Sequence, residues 1–456
     1  MPERFDLLLR GGTVVTPGGP AQLDVGVLDD RIAALGDLAG ADAETVLDLA
    51  GLTVLPGCID TQVHLREPGA EHKEDLETGT RAAVLGGVTG VFDMPNTRPT
   101  TTTRAAFEDK LRRAAGRIHC DIAFYVGATP GNIDDLAALE RLPGCAGVKC
   151  FMGKSTGDLL IPDDETLEAV LRAGTRRMAV HAEDEARLRA RYAALDETAW
   201  VGMHPVVRDE KTALLATSRL LALARKTGRR VHVLHVTTAG EMDLLARHKD
   251  LATVETCPQH LTLAAPDCYD ELGTLAQMNP PIRNAAHRAA LWRAVQQGVV
   301  DVLGSDHAPH TLDEKARAYP DAPSGMPGVQ TILPIMLDHV QAGRLSLLRL
   351  VDLLAAGPAR IFGIARKGRI AVGYDADFSI VDLAATRTIT NDWIASRCGW
   401  TPFAGRTVHG VPKMTIVRGR LVMREDEIVA PPTGRPMHFW ETLAPAVGDA
   451  PTSTAP

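Results

Sequence analysis

The chain has 456 residues, 45% hydrophobic and 23% charged, which excludes a disordered chain and supports a large core without disulfide or metal staples. A net charge of −8, from 57 acidic against 49 basic residues without a Lys/Arg cluster, argues against a primary nucleic-acid role. No apolar run reaches the roughly 18 residues of a membrane span. Met1–Asp6 lacks a secretory pattern, and seven cysteines without paired spacing read as free thiols, so a cytoplasmic location is expected.

Length alone allows three domains of about 150 residues, or one (β/α)8 barrel of roughly 250 with an appendage. Residues 1–55 read as short strands: Asp6–Arg10, Asp24–Val27, Arg31–Leu35 and Leu52–Leu55, separated by Gly, Pro and Asp turns. From Cys58 the texture changes to β-branched runs alternating with helical stretches, the pattern of βαβ units. Eight strands are predicted: Cys58–Val63, Val88–Met94, Cys120–Val126, Ala146–Phe151, Met178–Ala182, Val231–Val236, Ala252–Cys257 and Val299–Gly304. Helices are predicted at Leu76–Leu85, Ala105–Ala115 and Lys211–Lys226. Eight strands with crossovers imply a closed TIM barrel over 56–363. Beyond it, Lys367–Ile370, Asp377–Val381 and Thr415–Val422 return to β texture. A small composite β-sandwich built from 1–55 and 364–430 is the economical partition, because chain termini tend to lie together. The Pro-, Ala- and Thr-rich tail, 431–456, is expected to be loosely ordered.

Barrel chemistry forms at the C-terminal ends of the strands. Those ends carry Gln62, His64 and Arg66 after the first strand, Asn96 after the second and Lys149 in the fourth. His181 ends the fifth, His235 the sixth, His260 follows the seventh, and Asp306, His307 and His310 follow the eighth. A lysine inside the apolar run Gly147–Phe151 is unusual, since buried lysine is rare unless paired or modified. Three histidines, a lysine and an aspartate from five strands point into one bowl, a donor set suited to a borderline cation such as Zn²⁺. Glu255 and His260 are candidates to orient such groups. Cys150 and Cys257 read as core residues without an activating base. The polar stretch Lys154–Asp158 reads either as a lip over the bowl or as a plain loop.

Asp60–Gly69 (DTQVHLREPG) resembles the opening motif of the cyclic-amide amidohydrolases, above all long-chain bacterial dihydroorotases. Met94–Thr97, Gly147–Gly153, His235–Ala239, Asn279–Arg283, Ser305–Thr311 and Gly325–Thr331 extend the resemblance in order, so that it spans roughly residues 5–430. The resemblance implies a metal-dependent barrel with a composite β-domain. It implies that Lys149 is N-carboxylated and bridges one or two Zn²⁺ ions, with His181 and His235 on one and His64 and Asp306 on the other. Asp306 would also carry the catalytic proton. Arg66, Asn96 and His310 would hold a substrate carboxylate, and Asn279 would approach the ring. The implied reaction is reversible cyclisation of N-carbamoyl-L-aspartate to L-dihydroorotate in de novo pyrimidine biosynthesis. Allantoinase, hydantoinase and a non-catalytic partner of aspartate transcarbamoylase are the alternatives. The expected partners are a small-molecule substrate and further copies of the chain, as in a dimer, with neither nucleic acid nor membrane. One departure stands out: Gln62 occupies the position of the first histidine of the family's His-x-His, and a glutamine carbonyl is a poor zinc ligand beside imidazole.

Overall fold

A computed structural model describes residues 4–154 and 159–443. Four residues of the Lys154–Asp158 stretch, 155–158, lie outside the described residues, so its reading as a lip or a loop stays an expectation.

Eight strands form one sheet whose hydrogen-bonded neighbours follow chain order. They are Cys58–Val63, Val88–Asp93, Asp121–Gly127, Cys145–Phe151, Met178–His181, Val231–Val233, Ala252–Thr256 and Val302–Leu303. Every neighbouring pair is parallel. The sheet closes where Val63 bridges His307 in parallel and His64 N donates to His307 O at 2.7 Å. Both faces of these strands are buried, which is why they read as continuous apolar runs rather than alternating ones. The helices pack outside with their own caps. Asp75 accepts from Thr78 N to open Leu76–Leu85, and Asp209 opens Glu210–Thr227, which ends at left-handed Gly228.

The predicted sixth and eighth strands are longer than the observed ones. Val231–Val236 stops at Val233, and His235 then adopts a positive φ of 37° that no regular ladder accommodates. Val299–Gly304 keeps only Val302 and Leu303 as strand.

Both chain ends build two further sheets. One orders Arg31–Gly36, Asp24–Leu28, Phe5–Arg10 and Ala43–Asp48. The other runs Glu427–Ile428, Arg420–Arg424, Thr407–Val417, Phe378–Thr388, Thr53–Pro56, Thr13–Thr16 and Gly19–Gln22. Leu7, Leu9, Val25 and Val27 of the first share a core with Val14, Val54, Phe378, Ile380 and Ile416 of the second. Four strands absent from the sequence reading, at residues 13, 19, 43 and 427, are short and partly exposed and carry little hydrophobic pattern. Lys367–Ile370 is not a strand. Its lysine is instead buried among Asp121, Asp375 and Asp377. The run Thr415–Val422 is a hairpin, because Arg418 and Gly419 both have positive φ (45° and 73°), as a tight two-residue turn requires.

The expected loose tail, 431–456, is corrected only in its first part, since residues 444–456 lie outside the described residues. Residues 431–443 are not loose: Gly434 N donates to Ile118 O, Ile122 N to Arg435 O and Met437 N to Ile122 O. Met437 and Phe439 are fully buried against Ile59, Phe92, Ala123 and Tyr125 at the N-terminal end of the barrel. Two aromatic or long apolar side chains outweighed the Pro- and Thr-rich composition that suggested disorder.

Candidate active site

At the opposite end of the barrel, Gln62, His64, Arg66, Lys149, His181, His235, Asn279 and Asp306 line one small pocket, with Phe151, Ala308, Ser324 and Gly325 completing its wall. It opens into a vestibule of about 960 Å³ that includes His310 and shares Asn279 and Ser324. Thus the strand ends picked from sequence converge. Asn96 stands behind the wall: its Oδ1 lies 2.7 Å from His64 Nδ1. Arg66, His235 and Asp306 all have positive φ, at 62°, 37° and 45°. Such backbone costs about 1–3 kcal/mol per residue and concentrates where side chains must be aimed against local preference.

The donor atoms form two close pairs. An amide oxygen only accepts, so His64 Nδ1 carries the proton toward Asn96 and the lone pair of Nε2 faces Asp306 Oδ1 at 3.2 Å. A lone pair facing a carboxylate oxygen calls for a proton or a cation between them, and burial disfavours the imidazolium. In the second pair, His181 Nδ1 and His235 Nε2 are 3.0 Å apart, and buried His235 Nδ1 has no hydrogen-bond partner among the described residues. Burial holds both imidazoles below their ordinary pKa, His235 well below it. Two ligands on one tetrahedral zinc stand roughly 3.3 Å apart, so both pairs fit a metal. Among the described residues, no three His, Cys, Asp or Glu side chains stand close enough together to hold one ion by themselves. A third protein ligand must come from another residue type, and Lys149 lies on the same pocket wall. Its Nζ stands over the Phe151 ring, 4.4 Å from the centroid, and burial lowers its pKa to about 7.

Gln62 does not replace the imidazole it displaces. Its Nε2 donates to Asp306 Oδ1 at 2.9 Å, and its Oε1 is buried without a partner among the described residues.

Arg66 is buried, and burial lowers its pKa to about 10. Its Nε donates to Pro309 O at 3.2 Å. Nη2 lies 3.2 Å from His310 Nε2 but finds no acceptor there. Lys73 Nζ, which only donates, is 3.1 Å from His310 Nδ1, so the imidazole proton sits on Nε2 and points to Ser324 O at 3.2 Å.

Around this set, Glu255 accepts from Thr61 Oγ1 at 2.7 Å, and burial raises its pKa to about 8. His260 pairs with Pro280 O, next to Asn279. His204, which has no barrel-end position in the sequence, lies 3.0 Å from Asn279 Oδ1. Sequence reasoning treated it as structural, and nothing local to residues 200–208 marks it. Glu183 is a second residue missed: buried, ion-paired with Arg208, and 3.0 Å from His181 Nε2. All seven cysteines are free and buried, and burial pushes the Cys150 thiol up to about 12, consistent with a core role.

The model of the amidohydrolase family matches residues 53–422. A dihydroorotase from Halobacterium salinarum is 40% identical over 411 residues, 89% of this chain and 94% of its own. An allantoinase from Deinococcus radiodurans is 37% identical over 447 residues, 94% and 98% of the two chains. Among solved structures, an L-hydantoinase (dihydropyrimidinase) from Arthrobacter aurescens superposes with a TM-score of 0.90 at 30% identity, over 95% of this chain and 100% of its own. With a barrel of this topology and a pocket of this composition, the chain belongs to the amidohydrolase family, as a cyclic amidohydrolase.

Proposed function

We propose that the protein is a zinc-dependent dihydroorotase that interconverts N-carbamoyl-L-aspartate and L-dihydroorotate in de novo pyrimidine biosynthesis. One observation carries the substrate choice. Arg66 is a buried guanidinium on the pocket wall whose hydrogen-bonding neighbours are a backbone carbonyl and an imidazole that already donates elsewhere. A planar, desolvated fork without a carboxylate partner among the described residues suits a substrate carboxylate. Dihydroorotate has one, whereas allantoin and simple hydantoins do not. The 40% identity to a dihydroorotase supports the same choice.

Superfamily members are generally metal-dependent. Here His181 with His235 would hold one zinc and His64 with Asp306 a second, with carboxylated Lys149 supplying an oxygen to each. The neutral amine is the form that adds carbon dioxide, and the buried position of Lys149 favours that form. Zinc bound there lowers the pKa of water to about 7 and polarises a carbonyl. Asp306 would take the proton of the attacking water and deliver it to the departing ring nitrogen. Gln62 Nε2 donates to its Oδ1 and so restrains the carboxylate from one side. Arg66, with His310 beside it, would anchor the carboxylate, with Asn96 a further candidate reached through His64, and Asn279, held by His204, would bound the ring.

The test is a side-by-side assay of dihydroorotate, allantoin and hydantoin, with metal analysis of the same preparation. Turnover of dihydroorotate with about two zinc ions per chain is expected. Preference for allantoin or hydantoin would overturn the substrate. Protein that stays metal-free and inactive at saturating zinc would favour a non-catalytic role.

A further inference from the structure

Lys315 lies outside the pocket wall, yet it is completely buried and has no carboxylate partner among the described residues. Its three ammonium protons meet three backbone carbonyls: Gln277 O at 3.0 Å, Pro323 O at 2.9 Å and Gly325 O at 3.0 Å. Donors and acceptors match one for one. An ammonium buried among neutral groups is expensive to desolvate, and an apolar side chain of similar volume would fill the same space without that cost.

The three carbonyls belong to the two segments that form the rim of the pocket. Gln277 lies two residues before Asn279, and Pro323 and Gly325 flank Ser324, whose carbonyl receives the His310 proton. The segments are also joined directly. Gly325 N donates to Gln277 O at 2.9 Å, and Gln277 Nε2 donates to Ala322 O at 2.8 Å. Gly325 has a φ of 140°, and a Cβ there would stand 2.5 Å from Ala308 O, so this rim has no slack. Lys315 itself ends the short helix Leu312–Lys315 that follows Asp306 and His310, opened by a capping box between Thr311 and Glu314. Trp400 covers its other side, with the indole donating to His310 O at 2.7 Å.

We infer that Lys315 is a positioning residue: its ammonium ties the 277–279 and 323–325 segments to the loop that carries Asp306 and His310, and so sets the distance across the substrate pocket between Asn279, Ser324 and Arg66. The inference rests on reading this pocket as the substrate site, but not on which cyclic amide it takes. Lysine fits the task because three carbonyls from different directions surround one point, whereas the flat fork of arginine serves two parallel acceptors. The pocket is held open at a fixed width by a charge that never meets substrate.

The test compares wild type with Lys315→Met and Lys315→Gln, using whichever of dihydroorotate, allantoin and hydantoin the wild type turns over. Hydrogen exchange of the zinc-loaded protein is followed in parallel. In Lys315→Met, KM is expected to rise at least tenfold while kcat stays within about threefold. Amide protection should fall at 277–283 and 320–326, with metal content unchanged. Lys315→Gln, which keeps two donors, should lie between and serves if the Met variant fails to fold. Unchanged KM with unchanged exchange at the rim would overturn the inference, as would exchange that rises uniformly across the barrel. The exchange result stands even if none of the three substrates is turned over, so failure of the proposed function and failure of this inference are distinguishable.

Discussion

The two ends of the barrel are made by the same eight strands and are chemically opposite. At the C-terminal end, imidazoles, carboxylates, a lysine and an arginine crowd one pocket, several aimed by unfavourable backbone. At the N-terminal end, Phe92, Tyr125, Phe362 and Phe439 meet edge to face with centroids 5.1–6.3 Å apart. One end stores polar groups that would rather be solvated, and the other supplies the apolar burial that tolerates them. Stability and chemistry therefore sit on separate layers and should respond to mutation separately.

The sharpest break in that separation comes from Asp306→Asn. It should cut kcat by about 10²–10⁴-fold, the usual worth of a general acid–base group, while the thermal midpoint holds. Near-normal kcat would remove the proton-carrying role. The mirror experiment is Phe439→Ala, which should cost about 3–5 kcal/mol in urea unfolding, as for a large side chain removed from a packed core, with KM unchanged. If activity collapses before stability does, the two layers are coupled. Arg66→Met should raise KM for a carboxylate substrate roughly 10–100-fold, the equivalent of about 1.5–3 kcal/mol for hydrogen bonds to a charged group. An unchanged KM would point to a substrate without a carboxylate.

A smaller effect concerns pH. Burial holds His339 at about 3 against an ordinary 6.5, with Arg344 beside it and Trp292 stacked edge to face at 4.7 Å. Below pH 6.5 the unfolded chain takes up a proton that the native imidazole refuses, so stability should fall steadily from there toward pH 3. His339→Gln should flatten that slope in unfolding titrations without touching kcat. Least disruptive of all is Gln62→His, which removes the amide donor to Asp306 and adds an imidazole. Metal analysis should show tighter retention of the ion shared by His64 and Asp306, and identical retention would make Gln62 neutral toward metal.

Much of this was legible from sequence because the barrel strands are buried on both faces, so their apolar runs are unmistakable, and because polar residues at strand ends have one place to go. Lys149 announced itself as a charge inside such a run. Tertiary partners at long range left no such mark. His204 reaches Asn279 across about 75 residues, and no local pattern in the sequence singles out Lys315. The tail misled for a related reason: composition reports the average residue, whereas Met437 and Phe439 alone decide where that segment goes.

The pairing of Thr53–Pro56 with Phe378–Val381 also has a temporal meaning. The early strand leaves the ribosome roughly 320 residues before its partner, a wait of roughly 15–65 s at bacterial-to-eukaryotic elongation rates. Throughout that interval an unpaired strand edge is presented to other nascent chains. Phe439 arrives later still, so the barrel floor is completed only after all eight barrel strands and both flanking sheets have been made. Truncated products should therefore be the aggregating species in any expression host, and a carboxy-terminal affinity tag that recovers only finished chains should yield the better-behaved protein.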